Sequence, residues 1–305
     1  MKFGVGIIPQ DNTEKTIDLI KIAEDSGFEY AWIYHKTDLN LYSLLKTLSF
    51  ETENIKIGPG VTNPYIKDVK NAAYEIININ NLSDKRAVFG IGPGDRKIME
   101  QLNKPWTNPT STLKNYIDDL HESFKKKNSN IPIYIEAQSP KLLETSGQIA
   151  NGCLINASHP KDFKELSKHV ETGRNASNNK DDFDIAAYAA TSIGEDTITA
   201  KNAAKIVVAF IIAGSAPPVL ERHNISQETR KKIYIQLSQG NIGKALGLIG
   251  DDLIDIFSVT GTSKEIIPRI ESLKEENVTQ FVVSAPFGRN HEESLRLFKD
   301  VIDSF

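Results

Sequence analysis

Eight times along this chain a short run of Val, Ile, Phe, Tyr and Ala is followed by a longer segment with apolar residues at helical spacing. The runs span residues 3–8, 30–34, 55–58, 87–92, 131–136, 153–156, 185–191 and 279–284. Such runs, bounded by Gly, Pro and Asn, read as strands buried on both faces. Strands separated by helices pair in parallel, because the helix is the crossover that brings the chain back to the same end of the sheet. Helices are expected at 13–26, 39–50, 69–82, 112–126, 140–149, 163–171, 196–213 and 291–302. The first carries Ile17, Ile20 and Ala23 on one face and stops at Gly27, a residue suited to closing a helix. Residues 217–274 form a further helical region without a convincing strand. The pattern predicts an α/β protein of one domain, 1–305: a (β/α)8 TIM barrel with a helical insertion before the last strand, about 250 residues being typical and longer members carrying insertions. No linker or low-complexity tract divides the chain. A doubly wound sheet has the same element order, so strand order decides between the two.

Composition narrows the function. A formal net charge of -4 gives no basic stripe for nucleic acid. The run Lys125-Lys126-Lys127 reads as a solvated helix end, where cations suit the C-terminus and Asn128-Ser129-Asn130 stops the helix. Cys153 is the only cysteine, so neither an internal disulfide nor a cysteine zinc site is available, and its apolar setting GCLINA reads as a buried, inert thiol. No histidines sit at metal-ligand spacing, and no metal is expected. The longest apolar stretch, Ile206 to Gly214, falls short of the roughly 18 residues of a membrane span. MKFGVGIIPQ enters a strand with no cleavage-site pattern, so a cytoplasmic protein is expected. The apolar helix AKIVVAFIIAG belongs in a core or a subunit contact, His223 reads as structural, and Glu221-Arg222 as a surface pair of little worth.

In a (β/α)8 barrel the reactive groups gather at the C-terminal ends of the strands. That rule brings Tyr34-His35-Lys36, the tract IKIGPGVTNPY, the tract FGIGPGDRK, Ala137-Gln138-Ser139-Pro140 and Asn156-Ala157-Ser158 to one mouth. Glycines let backbone approach a ligand and prolines hold the path, so two Gly/Pro turns at successive strand ends point to a shared ligand pocket. The second is not a dinucleotide fingerprint: it lacks the third glycine and the acidic residue about twenty positions on. Asp95 stands either beside the ligand or as the cap of the next helix. Pro140 suits the first position of a helix whose free N–H groups face the mouth as an anion site, with plain capping by Ser139 the alternative.

The segments AEDSGFEYAWI, KIGPGVTNPY, FGIGPGD, PIYIEAQSP, LINASHPKDF, AAKIVVAFIIAGSAPPVLERH, FSVTGT and VTQFVVSAP resemble, almost end to end, the methylenetetrahydromethanopterin reductases of the bacterial-luciferase-like superfamily of TIM barrels. The resemblance implies an oxidoreductase that uses the deazaflavin coenzyme F420. Its reaction would be hydride transfer from the reduced coenzyme to methylene-tetrahydromethanopterin, a pterin substrate, in the one-carbon metabolism of an archaeal methanogen. It further implies a homodimer or homotetramer and a non-prolyl cis peptide at Gly60-Val61 backing the deazaflavin. Coenzyme contacts are implied for His35, Gly60, Val61, Thr62, Asn63, Gly92, Gly94, Asp95, Ala137, Gln138, Ser139, Asn156, Ala157 and Ser158. Asp95 and Gln138 are the polar candidates for catalysis.

Three departures cluster at the mouth. Reducing a methylene-pterin also needs a proton on a pterin nitrogen, which a carboxylic acid near the ring can supply. The family reads MKFGIE at its start, whereas this chain reads MKFGVG, and Gly6 has no proton to give. Thr-Asp-His-Tyr after the second strand becomes a shorter Tyr34-His35-Lys36, which leaves His35 either lining the pocket or facing water. Ser-Pro-Ala after the third strand's turn becomes Lys67-Asp68-Val69-Lys70. An alternative therefore stands beside the reductase reading: a paralogue without the catalytic carboxylate, weakly active, redirected or only binding F420, which Gly6→Glu would test. An FMN monooxygenase of the same superfamily is a third reading.

Overall fold

All eight expected strands form. The structure is a computed structural model that describes residues 1–101, 103–177 and 182–305. The chain runs β1 (Lys2–Ile7), α1 (Thr13–Asp25), β2 (Tyr30–Ile33), α2 (Leu41–Glu51), β3 (Lys56–Pro59) and α3 (Val69–Leu82). It continues through β4 (Phe89–Ile91), α4 (Arg96–Gln101), α5 (Pro109–Lys126), β5 (Ile133–Glu136), α6 (Pro140–Ile149), β6 (Gly152–Ile155) and α7 (Pro160–Ser177). Then come β7 (Asp184–Ile193), α8 (Thr197–Gly214) and the insertion helices α9 (Pro217–Arg222), α10 (Gln227–Ser238), α11 (Ile242–Leu246) and α12 (Asp251–Phe257). The last elements are β8 (Val259–Gly261), α13 (Ser263–Glu275), β9 (Gln280–Phe287) and α14 (His291–Ile302). Asn12, Asn40, Asp68, Asp196 and Asn290 accept backbone N–H groups at the starts of α1, α2, α3, α8 and α14, the role short polar side chains play best.

The strand order is β3-β2-β1-β9-β7-β6-β5-β4, every pair parallel. Bridges Ile57–Ala87 and Thr62–Ile91 join the two ends, so the sheet closes on itself, which decides for the barrel over a doubly wound sheet. One expectation is corrected: the region 217–274 does contain a strand, β8, paired with Thr191–Ile193 of β7. Three residues are too few to show an alternation, and β8 extends the long β7 without joining the ring's path.

Along each strand the side chains alternate between two cores. Tyr30, Trp32, Val88, Tyr134, Leu154, Ala186 and Val282 fill the barrel interior. Their neighbours, among them Val5, Ile33, Ile57, Phe89, Ile135, Cys153 and Val283, lie in the shell beneath the helices. Burial there pushes the Cys153 thiol up to about 12, the inert setting expected of it. The N-terminal end of the barrel is closed by Asp184, which accepts from Lys2 Nζ (2.8 Å), Tyr134 Oη (2.6 Å) and Thr279 Oγ1 (3.0 Å).

The insertion has its own small core, in which Ala204, Val208 and Ile212 of α8 meet Leu220, Ile233, Leu253 and Phe257. One stripe of α8 is thus core, while Phe210 and Ile198 on the rest are exposed. By length and composition α8 is apolar enough to cross a membrane, which the shorter count from Ile206 had set aside; its packed stripe is what a core helix also shows. Arg222 does not pair with Glu221. It reaches Asp162 (2.7 Å) and Glu165 (3.0 Å) of α7, and His223 Nε2 lies 3.0 Å from the same Asp162, tying α9 to the barrel in the structural role expected of His223.

Candidate active site

The interior-facing phase of the strands ends, at the C-terminal mouth, in a small polar group. From β5 it delivers Glu136, two residues beyond Tyr134; from β7, Tyr188, two beyond Ala186; from β1, Gly6. Glu136 and Tyr188 are both half-buried, so each keeps a path to solvent. Glu136 Oε1 accepts from Asn156 Nδ2 at 2.9 Å. Its Oε2 lies against Gly92, where a Cβ would come within 2.5 Å of it. Burial holds the Glu136 carboxyl above its ordinary range, only partly offset by the Asn156 hydrogen bond, because few surrounding groups solvate a carboxylate. Burial, then the Glu136 charge, raises the Tyr188 phenol as well. A Cβ at Gly6 would run into the Tyr188 hydroxyl.

The wall beside this group is the seam between β3 and β4. Gly60-Val61 is a non-prolyl cis peptide, as the resemblance implied. Thr62 N–H donates to Gly90 O (3.0 Å) and Gly92 N–H to Thr62 O (2.8 Å), so the irregular turn is held to the neighbouring strand by its backbone. A Cβ on Gly58 would strike the carbonyl of Val88, and one on Gly90 that of Pro59. These glycines therefore serve the close approach of two strands, beside any approach of backbone to a ligand.

His35 is half-buried and turns its ring inward. Its Nδ1 lies 2.8 Å from the hydroxyl of the buried Thr62, and its ring stands edge-on to Tyr42 at 6.1 Å. Burial, then the charge of Lys67, lowers the imidazole to about 4, so it is neutral at neutral pH. Lys67 itself sits over the Tyr42 ring at 4.7 Å.

The other expected residues divide. Asn63 Oδ1 accepts from Tyr65 N–H (3.0 Å), and a Cβ at Gly94, whose φ is +77°, would come within 3.5 Å of Asn63. Trp106 Nε1 donates to the carbonyls of Pro93 (3.1 Å) and Gly94 (3.2 Å), pinning the second turn from outside. Asp95 is exposed and accepts from Ile98 N–H at 3.0 Å, so it caps α4. Gln138 and Ser139 are exposed at the start of α6, where the Ser139 side chain makes no cap bond, Pro140 has no N–H, and the Leu142 N–H donates to Ser139 O at 3.0 Å. Ala137 is buried and Ala157 half-buried. Ser158 turns away: its buried hydroxyl donates to Phe257 O of α12 at 3.2 Å.

Two residues of the site, Glu136 and Tyr188, escaped the sequence reading. The signal for the first was present, because Ile133 and Ile135 are the outward phase of β5 and an acid in the opposite phase at a strand's C-terminal end points into the mouth. Among the described residues no group of three or more His, Cys, Asp or Glu is placed to hold a metal ion.

Residues 1–280 match the family described as luciferase-like monooxygenase. The 5,10-methylenetetrahydromethanopterin reductase of Archaeoglobus fulgidus is 39% identical, the match covering 99% of each chain. That of Methanolobus tindarius is 37% identical over 99% of this chain and 100% of its own. The solved structure of the coenzyme F420-dependent tetrahydromethanopterin reductase from Methanopyrus kandleri superposes with a TM-score of 0.95 at 34% identity, covering 100% of this chain and 99% of that one. An F420-dependent secondary alcohol dehydrogenase shares the fold, with a TM-score of 0.78 at 15% identity over 99% of this chain and 98% of its own.

Proposed function

The chain belongs to the luciferase-like family and, within it, to the 5,10-methylenetetrahydromethanopterin reductases, and from that membership we propose that it transfers a hydride from reduced coenzyme F420 to methylene-tetrahydromethanopterin, giving methyl-tetrahydromethanopterin. The observation that carries the reading is 39% identity sustained over 99% of both chains. The one-carbon metabolism of methanogenesis is the corresponding setting, in an archaeal cytoplasm.

The residues present fit the coenzyme. The start of α6 is uncapped by Ser139 and solvent-facing at Gln138, which suits an anionic part of the coenzyme. Gly92 lets the Glu136 carboxyl lie against the turn after β4, and Gly94 takes the left-handed φ of +77° that shapes it. When bound, the deazaflavin supplies the hydride. In this reading Gly60, Val61 and Thr62 form the wall behind the ring, and His35 holds Thr62 in place. Asn63 and Gly94 shape the turn beside it. Gln138, Ser139 and the 156–158 turn flank the entrance, with Asp95 steadying α4 nearby.

Absorbance of the oxidised deazaflavin, followed after mixing purified protein with the reduced coenzyme and methylene-tetrahydromethanopterin, tests the assignment. Turnover is expected. Binding of the coenzyme without turnover would overturn the reductase reading and select the second one, a coenzyme-binding paralogue, which Gly6 favours.

The resemblance also implies a homodimer or homotetramer. Phe210, Tyr234, Ile235, Ile242 and Leu248, on or beside α8, α10 and α11, are large apolar side chains left exposed, and a second copy would cover them. Sedimentation of the native chain is expected to give an oligomer that Phe210→Asp weakens.

A further inference from the structure

We propose that Glu136, at the end of β5, is the acid that protonates the substrate nitrogen. The proposal rests on the reductase reading.

Three observations meet at this residue. First, β1 carries Gly6 one residue before its end, and the space a side chain there would need is taken by the Tyr188 hydroxyl. Second, Glu136 enters the same mouth as Tyr188, two residues beyond Tyr134 in the interior-facing phase of β5 as Tyr188 is two beyond Ala186 in that of β7. Third, the carboxyl is held and still accessible: Asn156 donates to one oxygen at 2.9 Å, the other rests on Gly92, and the residue keeps intermediate exposure at the mouth. The surroundings favour the protonated form. Among the described residues, the titratable group facing Glu136 is Tyr188 of β7. Asn156, after β6, is neutral, and Gly92 and Val61, from the turns after β4 and β3, bring no charge. With no cation against it, burial keeps the carboxyl above its ordinary value of 4.5.

The step balances. The methylene carbon, bonded to two nitrogens, gains a hydride and with it two electrons; its bond to one nitrogen breaks. That nitrogen keeps the bonding pair and takes the proton from Glu136. The carboxylate left behind is reprotonated, through water at the mouth, by the proton that the reduced coenzyme releases when it is oxidised.

Glu136→Gln keeps the shape and can still accept from Asn156 but has no acidic proton. In the purified full chain, deazaflavin binding, read by quenching of its fluorescence, is expected to stay within about threefold. Turnover is expected to fall by about 100-fold or more, the scale of a lost general acid. The wild-type kcat should decline as pH rises through the carboxyl's raised value, and that limb should vanish in the variant. Infrared titration of the ligand-free protein gives a readout independent of activity: one protonated carboxyl persisting above the ordinary range in the wild type and missing in Glu136→Gln. Asn156→Ala, which removes a donor that favours the carboxylate, should shift the limb and the infrared midpoint upward. A Glu136→Gln variant with wild-type kcat and pH profile, or a Glu136 carboxyl titrating at its ordinary value, overturns the proposal alone. A wild-type protein that never turns over overturns it together with the functional reading.

Discussion

The hydroxyl of Tyr188 lies where the side chain of any residue other than glycine at position 6 would begin. The two residues are on β1 and β7, with β9 between them in the sheet, so the contact crosses the barrel interior. A side chain at position 6 must displace the phenol or the strand that carries it. Gly6→Glu in the native background is therefore expected to lower stability by about 1–3 kcal/mol, the usual range for overpacking a filled interior, and not to raise turnover. Tyr188→Ala opens the space, so the double variant should be more stable than the two single effects predict, by about 0.5–3 kcal/mol of coupling. Urea unfolding of the four proteins measures this, and strictly additive losses would show that the two side chains do not compete.

His35 should make the fold acid-sensitive above the range where carboxylates titrate. Its folded value, lowered to about 4 by burial and then by Lys67, lies below the ordinary 6.5, so the unfolded chain binds the proton more readily. The contribution is complete above pH 6.5 and is lost as pH falls toward 4. The imidazole Cε1 proton resonance should titrate with a midpoint near 4 in the wild type and higher in Lys67→Gln. His35→Gln should flatten the fall of the urea midpoint between those pH values. A His35 midpoint near 6.5 would refute the inward, half-buried placement.

Asp95 offers a separation of charge from capping. Its carboxylate accepts the Ile98 N–H, which Asn serves equally well at a helix start and Ala cannot. Asp95→Ala is expected to lower unfolding free energy by about 1 kcal/mol and Asp95→Asn to leave it nearly unchanged. Equal losses in both would mean that the charge itself holds the turn.

The barrel was legible because periodicity survives in single elements. Ile133-Tyr134-Ile135-Glu136 is long enough to show which residues are buried, and the helix after it begins at a proline. What stayed hidden depends on two elements at once. Gly6 reads as a missing carboxylate, but only the packed barrel shows Tyr188 in that space, with Glu136 entering the same mouth from the interior-facing phase of β5. Gly58 and Gly90 read as ligand-approach glycines, while the carbonyls they face belong to each other's strands. Ser158 lies in a mouth sequence, yet its hydroxyl is spent on Phe257, 99 residues away. Strand β8, three residues long, is set by its pairing with β7 and carries no pattern of its own.

The insertion is anchored to the barrel through Asp162, and the anchor should be visible as a pH-dependent stability difference. Asp162, Arg222 and His223 are all nearly buried, so removing one charge leaves its partners short of a counterpart in a poorly solvated place. Burial alone would raise the Asp162 carboxyl, but hydrogen bonds from His223 and Arg222, with their charge, outweigh it and hold it below its ordinary 3.8. Its contribution is therefore present above pH 3.8 and lost as pH falls through the lower folded value. Asp162→Asn should lower unfolding free energy at pH 7 by about 3 kcal/mol, the lower end for breaking a buried pair, because Arg222 keeps Glu165. Urea unfolding across pH should show the gap between variant and wild type narrowing below pH 3.8, as the wild-type carboxyl also becomes neutral. A gap unchanged through that range would mean that the amide fails for reasons of shape, and an absent gap at pH 7 would mean that α9 is held to α7 by apolar packing alone.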